Sequence, residues 1–116
     1  MSFKSKYTLT QRIKESFNVL NKYPSKIPII CEKSKNTSVD YPILDKNKYL
    51  VENEFTVGQF IYVIRKRMKL PPEKALFLFV NGMIPSGGCL LLNLYEAYRE
   101  NDNFLYLTYT FENTFG

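Results

Sequence analysis

The sequence has no histidine among its 116 residues. That removes the commonest general base and the commonest metal ligand, and with them Cys-His and Ser-His nucleophilic pairs and nearly every zinc pattern. Cysteine is scarce. Cys31 and Cys89 lie 58 positions apart with no C-x-x-C spacing, so they read as two reduced thiols filling small apolar spaces, not as a bridge. Paired-carboxylate, GxxxxGK[ST] and GxGxxG motifs are also missing, and a catalyst is not expected. No apolar stretch reaches the roughly 18 residues of a membrane span. The opening "MSFKSKYTLTQRIK" lacks the apolar segment of a signal peptide, and Ser2 stands where myristoylation needs glycine. The expected compartment is therefore the cytoplasm.

What is present suits one globular domain. The chain is 45% hydrophobic, 16% aromatic and 23% charged, with no low-complexity run, and its length supports a single core. The net charge of +5 is unevenly placed. Residues 1–22 carry Lys4, Lys6, Arg12, Lys14 and Lys22 against Glu15, and "RKRMK" at 65–69 adds four cations. Such clusters are either solvated helix faces or surfaces for acidic partners, phosphates or anionic lipid headgroups.

Periodicity gives the organisation. In "TLTQRIKESFNVLNKY", Leu9, Ile13, Phe17 and Leu20 form one helical stripe, and Thr8 with Gln11 fits a capping box, so a helix is expected from Leu9 with its apolar stripe inward. Glu15 and Val19 fall on a second face of that helix, and "SFKSKY" before it suits a short separate turn. After Pro24, "KIPIICEK" (26–33) and "KYLV" (48–51) read as two strands joined by a polar loop, hence an antiparallel pair. Thr56 with Gln59 caps a second helix with Phe60, Ile61, Ile64 and Met68 as its stripe, stopped by Pro71 and Pro72. "ALFLFV" (75–80) suits a buried strand, "NG" at 81–82 a turn, residues 91–100 a short helix, and "FLYLTYT" (104–110) the last strand.

From residue 26 the order is therefore β-β-α-β-helix-β. This predicts an α+β fold, a ubiquitin-like β-grasp roll with a packed helix on a four-stranded mixed sheet, preceded by N-terminal helices. The last strand is expected to lie centrally beside the first. The division is a helical extension at 1–24 and a ubiquitin-like domain at 25–116, whose tail, 111–116, leaves the fold.

The segments "KYPSKIPIICEK", "ILDKNKYLV", "TVGQFIYVIRKRMKL", "ALFLFVNGMIP", "LYEAYRENDNFLYLTY" and "ENTFG" together resemble the autophagy-related protein eight family, ubiquitin-like modifiers that include GABARAP and the microtubule-associated light chains. The resemblance runs through about residues 9–116, in segments of specific order and spacing. It implies that Gly116 is adenylated by an activating enzyme, passed as a thioester to a conjugating enzyme and amide-linked to phosphatidylethanolamine, with Phe115 as a grip. A glycine carboxylate suits a narrow catalytic cleft, since no Cβ blocks its carbonyl. Nothing follows Gly116 in the sequence, which implies either a form already trimmed by the family's cysteine protease or a chain needing no trimming.

The resemblance also implies recognition of peptides carrying an aromatic residue, two spacers and an aliphatic residue, laid along the second strand as an edge. The aromatic pocket would use Glu15, Val19, Pro28, Ile30, Lys48, Leu50 and Phe104. The aliphatic pocket would use Tyr49, Val51, Phe55, Phe60, Val63 and Ile64. Lys46, Lys48 and Arg67 would attract acidic residues of the peptide. Ile30, Leu50, Phe60 and Ile64 are equally core residues of any such fold. Glu52 replaces a usual proline, Phe55 a usual aliphatic residue, and Phe17 and Leu20 usual charges.

The expected partners are the activating and conjugating enzymes, the processing and deconjugating protease, autophagy receptors and adaptors, and a phosphatidylethanolamine membrane, with tubulin as a further candidate. Neither nucleic acid nor a resident cofactor is implied. The expected location is the cytoplasm, and the autophagosome membrane after lipidation. Two other readings stand beside this one: an unconjugated basic scaffold or adaptor that binds tubulin or anionic membrane, and a modifier of protein lysines.

Overall fold

The computed structural model describes residues 2–35 and 43–111. Two helices come first, α1 (Phe3–Lys6) and α2 (Leu9–Lys22). Then follow β1 (Lys26–Lys33), β2 (Lys48–Glu52), α3 (Val57–Met68), β3 (Phe77–Phe79), α4 (Leu91–Tyr98) and β4 (Leu105–Thr110). Both capping boxes form as the sequence predicts: Thr8 and Gln11 exchange side-chain and backbone bonds at the start of α2, and Thr56 and Gln59 do so at α3. Three cations, Arg65, Lys66 and Arg67, fill the last turn of α3, where the helix dipole favours them. Lys69 in the left-handed region (φ 55°) closes that helix two residues before Pro71.

The sheet has the order β2-β1-β4-β3. β1 pairs antiparallel with β2 and parallel with β4, while β3 pairs antiparallel with β4. Pro28 fits inside this central strand because pairing to β4 begins only at Ile29, so its missing N–H leaves no gap in that ladder. Asn81 (φ 50°) and Gly82 (φ 77°) turn the chain after β3, closed by reciprocal Val80 and Met83 backbone bonds of 2.8 and 2.9 Å. Two consecutive positive φ values are what the Asn-Gly pair supplies.

Side-chain alternation divides the sheet into two faces. Ile27, Ile29, Cys31, Tyr49, Leu78, Leu105, Leu107 and Tyr109 meet Val57, Phe60, Ile64 and Met68 of α3 and Leu91, Leu94 and Tyr95 of α4 in the main core. On the other face Ile30 and Phe104 form a smaller cluster with Phe3, whose ring meets Phe104 edge-on at 5.2 Å. Burial pushes the Cys31 thiol well above its ordinary value, and both Cys31 and the half-buried Cys89 are free thiols, as expected.

The N-terminal helices are held to that second face by a buried acid. Asp102 accepts the Phe104 N–H at 3.0 Å and the Tyr106 hydroxyl, and the Arg12 guanidinium approaches it at 3.4 Å. The Asp102 carbonyl accepts the Ser16 hydroxyl at 2.6 Å. Burial and the hydrogen bond to Asp102 push the Tyr106 phenol up, so it remains a donor.

Three sequence expectations change here. The stripe of α2 does not face inward: Leu9, Ile13 and Phe17 stay 40%, 38% and 61% exposed, and Ser16 is the helix's buried residue. The short serine lets the helix backbone approach the 102 carbonyl, and the polar hub, not apolar area, sets its rotation. β3 is a half-buried strand of three residues at the end of the strand order among the described residues, not a buried run over 75–80. Phe111, assigned to the tail, is buried and stacks edge-on with Tyr109 at 5.8 Å, so the body of the fold extends through it.

Replacing Asp102 by Ala leaves the buried Arg12 cation without its counter-charge and orphans the Phe104 N–H. A loss of about 3–5 kcal/mol is expected, the usual cost of breaking a buried pair from one side. Urea unfolding of wild type and variant measures it. A change under about 1 kcal/mol would mean that Asp102 does not organise this face.

Candidate functional site

β2 lies at one end of the strand order, so one side of its backbone is unpaired by the sheet. Which groups are free follows from the bonds that frame it. The Cys31 N–H donates to the Asn47 carbonyl and the Asn53 N–H to the Ser25 carbonyl. With the register Ile29 to Tyr49 and Ile27 to Val51 between them, alternation turns Tyr49 and Val51 inward and leaves the N–H and C=O groups of Lys48 and Leu50 and the N–H of Glu52 outward, the Glu52 carbonyl accepting the Phe55 N–H at 3.0 Å.

The same pleat places apolar surface on both sides of this edge. Leu50 stands opposite Pro28, and Lys48 opposite Ile30, on the face that α2 covers. There Val19 and Leu50 are half-buried at the rim, while Pro28, Ile30 and Phe104 are buried beneath, the last two packed on Phe3. On the opposite face, Tyr49 and Val51 meet α3. Tyr49 stacks edge-on with Phe60 at 5.3 Å and donates its hydroxyl to the Lys46 carbonyl at 2.9 Å. Burial is the main cause that pushes the Tyr49 phenol up, keeping that donor protonated. Val51 and Phe55 are half-buried and Val63 is exposed, whereas Phe60 and Ile64 are fully buried in the main core. Of the thirteen residues assigned to the two pockets, Glu15, Pro28, Ile30, Lys48, Tyr49, Leu50, Val51 and Phe60 are thus brought together at this edge by the β1–β2 register, the Lys48–Glu15 pair and the Tyr49–Phe60 stack.

Charges frame this edge, and they are internally paired. Lys48 reaches across from β2 to Glu15 of α2 at 2.8 Å, on the α2 side of the edge. Arg67 holds Asp45 through a fork, Nε to Oδ1 at 2.8 Å and Nη2 to Oδ2 at 3.4 Å. Lys46 lies over the Tyr49 ring at 5.3 Å. Sequence reasoning named the cations but missed Asp45 as a partner and Phe3 as the support under the α2-side floor. Both depend on tertiary proximity, and neither carries a local signal. Gly116 and Phe115 lie outside the described residues.

The parallel β1–β4 pair, the antiparallel flanks and a long helix across one face define a ubiquitin-like protein, here with two added helices on the opposite face. Comparison with known proteins narrows the class. The family model for "Autophagy protein Atg8 ubiquitin like" matches residues 11–116. "Autophagy-related protein 8" of Vanderwaltozyma polyspora is 50% identical over 115 residues, covering 99% of this chain and 96% of that protein. Its namesake from Schizosaccharomyces pombe is 48% identical over 114 residues, covering 98% and 93%. The crystal structure of Trypanosoma brucei ATG8 superposes with a TM-score of 0.90 at 38% identity, covering 100% of this chain and 98% of that one. The chain belongs to the Atg8 family of ubiquitin-like autophagy proteins.

The free edge has a direct test. In native-state hydrogen exchange, the amides of Tyr49, Val51 and Asn53 should be protected by pairing to β1, and those of Lys48, Leu50 and Glu52 should exchange at least about ten-fold faster, since outward amides need no opening of the sheet. Uniform protection along β2 would show that its outer side is already occupied.

Proposed function

We propose that this chain is a modifier joined through Gly116 to phosphatidylethanolamine on autophagosomal membranes, where it recruits receptors and adaptors carrying an aromatic-x-x-aliphatic motif. One observation carries the recruiting role: beside the edge of β2, Lys48 and Leu50 lie on the α2 side of the sheet and Tyr49 and Val51 on the α3 side. In an extended strand, residues three apart project to opposite faces. A peptide added to the outward groups of Lys48, Leu50 and Glu52 therefore directs its first anchor to the α2 side and its second to the α3 side. The α2-side hollow, at Lys48 and Leu50, takes the aromatic residue. The α3-side hollow, at Val51, Phe55 and Val63, takes the aliphatic one. That order runs the peptide parallel to β2, and the backbone bonds supply register while the hollows supply selectivity.

Family membership, with the family model matching through residue 116, supports conjugation. The Gly116 carboxylate is activated by ATP as an acyl adenylate with release of pyrophosphate, then moves to an enzyme thiol with release of AMP. After thioester exchange onto the conjugating enzyme, the lipid amine attacks the carbonyl, the thiolate leaves and the amine loses a proton. The protein is the substrate of this cascade, and the cysteine protease that acts on the family reverses the last bond. It is cytoplasmic before conjugation and membrane-held after it.

Two measurements separate these roles. Incubation with the activating and conjugating enzymes, ATP and phosphatidylethanolamine liposomes should raise the intact mass by one lipid less one water, and Gly116→Ala should abolish the shift with an unchanged circular dichroism spectrum. Conjugation of the alanine variant at the wild-type rate would overturn the route, and an adduct on protein lysine instead would favour a protein modifier. Independently, Leu50→Ala and Val63→Ala should each weaken calorimetric binding of a Trp-x-x-Leu peptide roughly five-fold or more, as the buried apolar contact shrinks. Both are rim positions, so the fold should survive. Unchanged affinity in both variants would favour an unconjugated scaffold that binds through its basic surface.

A further inference from the structure

The edge strand is electrically bipolar. Lys46 and Lys48 stand at its N-terminal end, with Arg67 of α3 beside them through Asp45. Glu52 ends the strand and Glu54 follows it, both exposed. Four strand steps separate Lys48 from Glu52, about 13 Å at the usual rise of about 3.3 Å per residue. This exceeds the screening length of about 8 Å at physiological salt, so the two ends present separate fields to a bound chain.

The ends also differ in how far their charges are already used. At the basic end Lys48 is held by Glu15 at 2.8 Å and Arg67 by the Asp45 fork. An acidic residue arriving at Lys48 or Arg67 must displace a carboxylate already in place, which leaves Lys46, over the Tyr49 ring at 5.3 Å, as the cation it meets unpaired. At the acidic end Glu52 has, among the described residues, Lys26 at 3.5 Å, and that ammonium also lies over the Tyr23 ring at 5.2 Å. Glu54 has no ion pair among the described residues. Each end thus keeps one charge without an ion pair among the described residues, Lys46 at the basic end and Glu54 at the acidic end, and Glu54 sits where a parallel peptide continues past its aliphatic anchor.

From this we infer that the groove selects peptides carrying lysine or arginine immediately after the aliphatic anchor, with Glu52 and Glu54 as the selecting residues. The inference rests on the groove reading above and adds the charge of the partner's C-terminal flank. Exposed charge pairs contribute modestly, and here two act on one short segment, so a preference of about three- to ten-fold is expected between flanks of opposite sign.

The test uses the full chain and two synthetic peptides with the same Trp-Thr-Ala-Leu core, one followed by two lysines and the other by two glutamates. Calorimetry at low and at physiological salt should show the lysine peptide binding tighter by that factor, with the gap narrowing as salt rises. The double variant Glu52→Gln with Glu54→Gln should remove the gap while leaving the affinity for a core with uncharged flanks within about two-fold, and charge reversal at Glu54 alone should invert part of it. Equal binding of both peptides to wild type, or a gap that survives the double variant, overturns the inference with the groove intact. Absence of binding by either peptide, or binding unaffected by Leu50→Ala and Val63→Ala, overturns the groove reading and this inference with it.

Discussion

A parallel pair of strands at the centre of a sheet must be covered on both faces, and most of this structure follows from that demand. β1 and β4 are that pair. Helices α3 and α4 bury one face through an extensive apolar core, and without a cover Ile30, Phe104 and Tyr106 would stand in water on the other. The N-terminal helices supply that cover, but by different means. Phe3 brings aromatic area, whereas α2 docks through Ser16, Arg12 and the Asp102 hub. A polar attachment fixes orientation more than it adds stability, because the desolvated charges consume much of what their attraction returns.

The groove lies where the two covers end. β2 is flanked by α2 on one side and α3 on the other but has no strand beyond it among the described residues. Partly buried apolar side chains, Leu50 on one face and Val51 on the other, with outward backbone groups between them, are what remains when a two-sided core stops at an edge. The intramolecular pairs Lys48 with Glu15 and Arg67 with Asp45 also suit a free edge, since charged side chains along an unpaired strand oppose indiscriminate strand addition.

Local signals were legible in the sequence and tertiary ones were not. The bounds of β1, both capping boxes, the Asn-Gly turn and the strand pairing could be read because each depends on residues a few positions apart or on a single loop. The rotation of α2 could not, because Leu9, Ile13 and Phe17 mark one stripe while a carbonyl 86 residues away from Ser16 marks another. The length of β3 goes with its place at the end of the strand order, which no property of "ALFLFV" encodes. For the groove, the residues were named through family resemblance. Their division into a buried floor and a reachable rim, and the carboxylates that already hold the cations, came from geometry alone.

The surface on which α1 and α2 rest is made jointly by a strand near the start of the fold and one near its finish, Ile29 meeting Leu105 about 76 residues later. Order of synthesis is therefore the reverse of order of placement: the helices emerge first, yet have nowhere to dock until β4 has joined β1, a long-range closure of the kind that slows folding. Val19 and Glu15 ride on α2, so they take their places at that last docking step. An incomplete chain, or one whose central pair has not closed, lacks the surface on which α1 and α2 rest, so the face of the β2 edge that carries Glu15 is completed only in a finished chain.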